Sequence, residues 1–342
     1  MASTQQPGAS RRERRNTFEG ARRGRHLGLD LGGTNIKWVV VEGDGDDART
    51  VDRGQVATPT VGGPGAVVPR LAAVANQAAG RWPGIASVGI GVPGLYDPAA
   101  GTTRFLVNVP GAWAGTPVAG PVGDALGVPA ALINDARAFG LAEHRLGAGR
   151  GVSSLVGLTL GTGIGGVIVL DGRVLFGHDG TAGELGHQTL DPDGPPCGCG
   201  NRGCLEAFAR ADRIATTCGT ATAEEAVERA RAGDERATAG LARIGRYLGI
   251  GIANVVTLLS PDLVVVGGGV AAAGDLILEP IRAELSERVR TTSLDEVVVV
   301  TAELGVWAGA IGAALHGATA AALRGATAAA GAAARPDAVA AR

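Results

Sequence analysis

Apolar and polar positions change period along this chain in a way that separates strands from helices. Hydrophobic residues run from Leu27 to Val41 and are interrupted by the polar turn Asp30–Thr34, which predicts a strand, a turn and a second strand. Ser87–Val92 and Ala130–Asn134 are short apolar runs of buried-strand type. The first ends at Pro93-Gly94, and the second runs into a helical pattern over Ala136–Leu146. Leu155–Leu160 and Val167–Leu170 flank a glycine-rich turn and predict a hairpin. Val67–Ala79 reads as an Ala-rich helix. Leu241, Ile244, Leu248, Ile252, Val255 and Leu259 step by three or four, as on a long helix with one buried stripe. Leu263–Val266 is a hydrophobic strand that enters Gly267-Gly268-Gly269. The pattern is α/β, in two halves that each open with a hairpin, and no internal repeat is visible in the residues themselves. Alanine dominates the chain after residue 318. Helix propensity there meets little that could pack, which predicts a disordered tail over 319–342.

Composition narrows the class. A length of 342 residues suits about two domains, and 45% hydrophobic residues are too many for a disordered chain. Aromatics make up only 3%, so aliphatic side chains carry the core. The 31 basic and 33 acidic residues nearly cancel, which argues against general nucleic-acid binding. Arginines concentrate before residue 26. With no apolar stretch after them, they read as a disordered tail over 1–25 rather than a secretion signal. The long uncharged windows Phe105–Gly123 and Gly151–Leu170 are broken by Pro or Gly, so neither suggests a membrane span. The expectation is a cytoplasmic protein with neither nucleic acid nor membrane as partner.

Three glycine turns are candidate anion sites. In the first, Asp30-Leu31-Gly32-Gly33-Thr34-Asn35, adjacent glycines let backbone N–H groups approach an anion, and Asp30 could hold a metal-bound water. An ordinary Gly-Gly hairpin has the same appearance. The second, Gly161-Thr162-Gly163-Ile164-Gly165-Gly166, contains the spacing of a dinucleotide fingerprint. That fingerprint requires a following helix, whereas Val167–Leu170 reads as a strand, so a phosphate-binding hairpin turn fits better. The third is Gly267–Gly269, at a strand end where α/β sheets bind ligands, although a plain strand-to-helix turn would look alike.

Cys197, Cys199 and Cys204 lie within eight residues, with His187 ten residues upstream of Cys197. Three thiolates and one imidazole make a tetrahedral set suited to structural Zn²⁺; the alternative is buried free cysteines beside an unrelated histidine. Cys218 has no such neighbour and reads as a small apolar residue.

Taken together, Asp30-Leu-Gly-Gly-Thr34, Asn134-Asp135-Ala136, Thr159-Leu-Gly-Thr-Gly163, Glu184-Leu-Gly-His187 and Cys197-Gly-Cys-Gly-Asn-Arg-Gly-Cys204-Leu-Glu206 resemble the ROK family of sugar kinases and repressors. The resemblance spans roughly residues 26–318. It implies a two-lobed actin-like ATPase fold of the ribonuclease H-like type, with ATP and sugar in the interlobe cleft. The lobes would be 26–133 plus 305–318 and 134–304, the second carrying a zinc loop over 187–204. The family's repressors place a winged helix-turn-helix before the first strand, and the 29 residues before Asp30 are too few and too polar for one.

The implied activity is ATP-dependent phosphorylation of a hexose at O6, with glucose as the leading substrate. N-acetylglucosamine or N-acetylmannosamine phosphorylation, or a non-catalytic sugar-binding regulator, are the alternatives. Asp135 matches the family's catalytic base, though an Asp before a helix also serves as an N-cap. Asn108, Asn134, Glu184, His187 and Glu206 match hydroxyl-binding positions. His187 would bind Zn²⁺ through one ring nitrogen and sugar through the other. Asp30 would position Mg²⁺, and Gly32, Gly33, Thr34, Asn35, Thr162 and Gly163 would cradle phosphate. Gly268 and Gly269 would flank the adenosine, and a homodimer is the family's expectation. One position departs from the pattern: the family's kinases usually have Asn two residues after the base, where this chain has Arg137. Arg137 could lower the pKa of Asp135, contact phosphate or face solvent.

Overall fold

The computed structural model describes residues 24–45, 47–291, 293 and 297–333, with side chains through 327. The Arg-rich segment before residue 24 lies outside the described residues, as does the chain beyond 333.

Two five-stranded sheets carry the structure. The first contains β1 (Arg25–Leu31), β2 (Asn35–Glu42), β3 (Arg49–Ala57), β4 (Ile85–Val92) and β8 (Ala130–Asn134), in the order β3-β2-β1-β4-β8. A small sheet of β5 (Gly94–Asp97), β6 (Thr102–Leu106) and β7 (Thr116–Pro117) hangs from the end of β4. The second large sheet contains β9 (Leu155–Leu160), β10 (Ile164–Leu170), β11 (Arg173–Val174), β12 (Leu263–Gly267) and β13 (Val298–Thr301), in the order β11-β10-β9-β12-β13. The connectivity is the same in both. The first strand pairs antiparallel with the second and parallel with the fourth, and the fourth pairs parallel with the fifth. The repeat that the residues conceal is therefore present in the topology.

Helices α1 (Pro64–Arg81) and α2 (Ala119–Leu126) cover the first sheet. The second is covered by α4 (Leu205–Ala209), α5 (Ala211–Cys218), α6 (Ala223–Arg231), α7 (Glu235–Leu259) and α8 (Asp275–Arg288). Two further helices, α3 (Asp135–Leu146) and α9 (Ala308–Ala333), share one hydrophobic cluster with β2, β9, β10 and β12, joining the two halves.

Two terminal expectations need correction. Arg25 belongs to β1 rather than to a tail, and its guanidinium donates to Glu42 Oε1 at 3.3 Å and to the Pro83 carbonyl at 2.9 Å. Residues 319–333, expected to be disordered, continue α9. Alanine helix propensity carries the chain beyond 318, where residues 319–327 are mostly exposed, while close packing of small residues holds the first half of α9. A Cβ on Gly28 would lie 1.8 Å from the Ala310 carbonyl oxygen, and one on Gly89 would lie 1.6 Å from that of Ala313. Backbone thus meets backbone, and alanine suffices to bury the contact. Arg324 then donates to the Ala130 carbonyl at 2.9 Å. The stretch Gly305–Thr327 is long and apolar enough to cross a membrane, at a mean hydropathy of 1.4, but half of it is buried within the protein.

Candidate active site

Parallel pairing brings the first set of residues together. Asp30 on β1 lies opposite Gly91 on β4, and Gly91 lies opposite Ile133 on β8, so Asp30 and Asn134-Asp135 emerge at the carboxyl ends of neighbouring strands. Ligands bind at such ends in α/β sheets. Lys37, paired with Asp30 across the hairpin, places its Nζ 3.9 Å from Asp30 Oδ2. Gly309, at the start of α9, sits against the Asp30 carboxylate, where a Cβ would come within 2.9 Å.

Asn134 caps α3: its Oδ1 accepts from the Ala136 and Arg137 amides at 3.0 and 3.3 Å. The capping role considered for Asp135 therefore falls to Asn134, and Asp135 is the first helical residue. Burial raises the Asp135 carboxyl to about 7; the Asp30 and Glu184 carboxylates add to the rise, and the Ala136 amide and Arg137 oppose it. Burial also raises Asp30, against the pull of Lys37.

Glycine contacts draw the second hairpin onto this centre. Gly165 on β10 packs against Ala136, where a Cβ would come within 2.8 Å, so the second glycine turn passes beside the start of α3. Gly161 N–H donates to the Gly163 carbonyl at 3.0 Å, with Thr162 exposed at the tip. Glu206 holds this turn, since its Oε2 accepts from the Ile164 amide at 2.8 Å. The third turn packs on the second: a Cβ on Gly268, which has φ of 86°, would lie 2.2 Å from the Leu160 carbonyl oxygen. Gly269 faces Glu224. A strand follows the G-x-G-x-x-G spacing, as the pattern suggested, so no helix N-terminus is available for a dinucleotide.

The first turn is braced from behind. Thr58 Oγ1 donates to the Gly32 carbonyl at 2.7 Å, and its amide donates to that of Thr34 at 2.9 Å. Sequence reading passed over Thr58, whose only sign was a polar residue at a strand end. Asn108 reaches the same turn. It holds φ of 61°, and its carbonyl sits where a Gly33 Cβ would be, at 2.3 Å. Asn35 opens β2 opposite Ala57.

His187 closes a short 3₁₀ turn over Leu185–His187. Its Nδ1 lies 3.6 Å from Cys197 Sγ, and its Nε2 lies 3.9 Å from Glu184 Oε2. Cys199 Sγ and Cys204 Sγ are 3.7 Å apart, and the four donor atoms all lie within 4.8 Å of one another. A tetrahedron with metal–sulfur bonds of about 2.3 Å and metal–nitrogen bonds of about 2.0 Å has edges of roughly 3.8 and 3.5 Å, so both measured pairs match. Cys218 lies elsewhere, with its thiol on the Ala237 carbonyl at 3.5 Å.

Arg137 does not face solvent, and its guanidinium is spent on acceptors within the protein. It is 1% exposed, among the largest fully buried side chains, and bonds Glu184 Oε1 at 2.7 Å. The position stands out in the sequence, but its partners at 181, 182 and 184 meet it only in the fold.

Two sheets of one connectivity, with carboxylates and a glycine turn at the strand ends of one and two glycine turns at those of the other, define a two-lobed α/β ATPase of the actin-like type. The model of the ROK family matches residues 26–318, and the chain belongs to that family. A protein named glucokinase from Thermotoga maritima is 34% identical over 307 residues, which is 84% of this chain and 95% of that protein. The crystal structure of a ROK hexokinase from Thermus thermophilus superposes with a TM-score of 0.74 at 38% identity, covering 86% of this chain and 98% of that one. A ROK family glucokinase from Streptomyces griseus, solved in complex with glucose and AMPPNP, also gives 0.74, at 31% identity, covering 86% of this chain and all of the other.

Proposed function

We propose that this chain is an ATP-dependent sugar kinase that phosphorylates a hexose at O6, with glucose as its substrate. The observation that carries this reading is Asp135: a carboxyl raised to about 7 at the start of α3, beside Asp30 and Glu184. A general base works best when its pKa lies near the working pH. Asp135 takes the proton from the O6 hydroxyl as the γ-phosphoryl group arrives. Glu184 Oε2, His187 Nε2 and the remaining Asn134 amide hydrogen hold other sugar hydroxyls, with Asn108 at the rim. Gly32–Asn35 and Thr162-Gly163 cradle phosphate, and Gly268-Gly269 flank the adenosine.

The Asp30 and Asp135 carboxylates repel one another, with Lys37 beside Asp30 and Arg137 acting on Asp135, and such a pair of carboxylates is a donor set suited to Mg²⁺. Bound there, Mg²⁺ would neutralise phosphate charge. His187, Cys197, Cys199 and Cys204 would hold Zn²⁺, which fixes the loop bearing Glu184 and Glu206. Glu206 then links that loop to the phosphate turn, because one oxygen meets the Ile164 amide and the other lies 3.8 Å from Cys197 Sγ. The lobes divide at 26–133 plus 305–318 and 134–304, and the functional unit is a homodimer. The glucokinase relatives support glucose as acceptor. ADP release measured across glucose, mannose, fructose and the N-acetylhexosamines tests the reading. Glucose should give the highest kcat/KM; an N-acetyl sugar in first place would reassign the substrate, and sugar binding without turnover would leave a regulator.

A further inference from the structure

Arg137 carries five N–H donors, and every one is spent inside the protein. Nε donates to the Ala182 carbonyl at 3.1 Å. One Nη1 hydrogen meets Asn134 Oδ1 at 2.9 Å and the other Glu184 Oε1 at 2.7 Å. Nη2 donates to the carbonyls of Thr181 and Ala182 at 3.0 and 2.7 Å. Its side chain is 2% exposed, against 34% for that of Glu184. A guanidinium buried this deeply survives only when paired and fully hydrogen-bonded, as it is here. It has no donor left for sugar or phosphate, so any influence on the reaction passes through the groups it holds.

Those groups belong to the two sides of the proposed sugar site. Asn134 is the cap that starts α3 at Asp135, and its Oδ1 accepts three hydrogen bonds, while Nδ2 donates to the Gly94 carbonyl at 3.2 Å. Glu184 sits on the loop after Thr181, and with Oε1 held by Arg137 its Oε2 is turned to the side facing His187. One side chain therefore fixes both the helix start that aims the base and the carboxylate that meets a hydroxyl.

We propose that Arg137 is a positioning residue for sugar recognition: it fixes the Glu184 carboxylate with Oε2 toward His187 and ties the Thr181–Glu184 loop to the cap of the helix bearing Asp135. This rests on the sugar-kinase reading in taking Glu184 as sugar-facing. In the proposed reading ATP is held by the glycine turns, none of which Arg137 bonds, so the two substrates should respond differently to its loss.

The test is a double-mutant cycle of Arg137→Met, which fills the space without donors, with Glu184→Gln. KM for glucose and for ATP, kcat, calorimetric glucose affinity and thermal melts are measured on each protein. Arg137→Met should weaken glucose roughly ten- to hundredfold, the range for one charge-assisted hydrogen bond, with ATP KM within about twofold. Arg137→Lys should not rescue glucose binding, because one ammonium with three donors cannot span four acceptor atoms. In the Glu184→Gln background, Arg137→Met should cost less than about threefold more. Equal rises in both KM values, or losses that multiply in the double variant, would overturn the proposal and leave Arg137 a merely structural residue. If Arg137→Met does not fold, Arg137→Lys enters the same cycle. A wild type that binds glucose without releasing ADP defeats the kinase reading alone, and the calorimetric cycle still decides Arg137. A wild type that binds no hexose overturns both.

Discussion

The two large sheets share one strand order and differ in what stands at their strand ends. The first presents carboxylates, Asp30 near the end of β1 and Asp135 after β8, beside the Gly32-Gly33 turn. The second presents backbone, with Gly161–Gly163 after β9 and Gly267–Gly269 after β12. In the proposed reaction the first side would supply the base and part of the phosphate cradle, and the second side the rest of the cradle. The difference lies in a few loop residues, because connectivity positions a strand end without dictating its chemistry. The division is also lopsided in support. The carboxylate side is backed by α3 and the Arg137 network, whereas the glycine side depends on close backbone contact at Gly268 and on Glu206 at Gly163.

The largest test of that division is Asp135→Asn, which keeps shape and removes the base. The kcat should fall about 10²–10⁴-fold with ATP affinity nearly unchanged, and a variant retaining half its kcat would refute the assignment. The same residue sets the pH response. With its carboxyl near 7, kcat/KM should rise tenfold per pH unit up to about 7 and then level off. Stability runs the opposite way. The folded carboxyl holds its proton above the unfolded value of 3.8, so the folded state binds more protons between those values. Its contribution is full below about 4 and is lost as pH rises through 7. Asp135→Asn should therefore melt higher than wild type at pH 8, by on the order of 1 kcal/mol, with the gap closing at pH 4.

Gly268→Ala attacks the opposite side. A methyl group there meets the Leu160 backbone and an unfavourable φ, so ATP KM should rise by about tenfold or more while glucose affinity by calorimetry stays close to wild type. A glucose loss as large as the ATP loss would show that the two sides are not separable. Cys199→Ser tests the loop between them: elemental analysis should show the metal gone, and glucose KM should rise several-fold more than ATP KM. The smallest expected effect is Thr58→Val, which removes one buried hydrogen bond to the Gly32 carbonyl. It should cost about 1 kcal/mol, read as a shift of a few degrees in melting temperature and a few-fold change in ATP KM.

Much of this was written in local pattern. Period and punctuation placed β1, β4, β8, β9, β12, α3 and α7 close to their observed spans, and the glycine turns and the Cys–His cluster followed from residue type and spacing. What local pattern missed shares one cause: the partner lies far along the chain. The first half of α9 packs through Ala310 and Ala313 on Gly28 and Gly89, more than two hundred positions away, whereas beyond residue 318 the helix is mostly exposed and rests on alanine propensity and the Arg324 bond to Ala130. Thr58 supports a turn 26 residues earlier, and Arg137 acts on a loop 44 to 47 residues later.

The sequence alone therefore determined the α/β class, the tight turns and the metal-type ligand set, because helix and strand periods, glycine freedom and thiol chemistry are local properties. Tertiary structure decided which charges face one another. Asp30 and Asp135 meet only because β1, β4 and β8 run parallel in register, and that meeting raises Asp135 further than burial alone. The same holds for Arg137. Its charge could be read from the chain, but its burial with every donor satisfied required the fold to bring Asn134, Thr181, Ala182 and Glu184 around it, since a buried cation is set by its partners rather than by its neighbours in sequence.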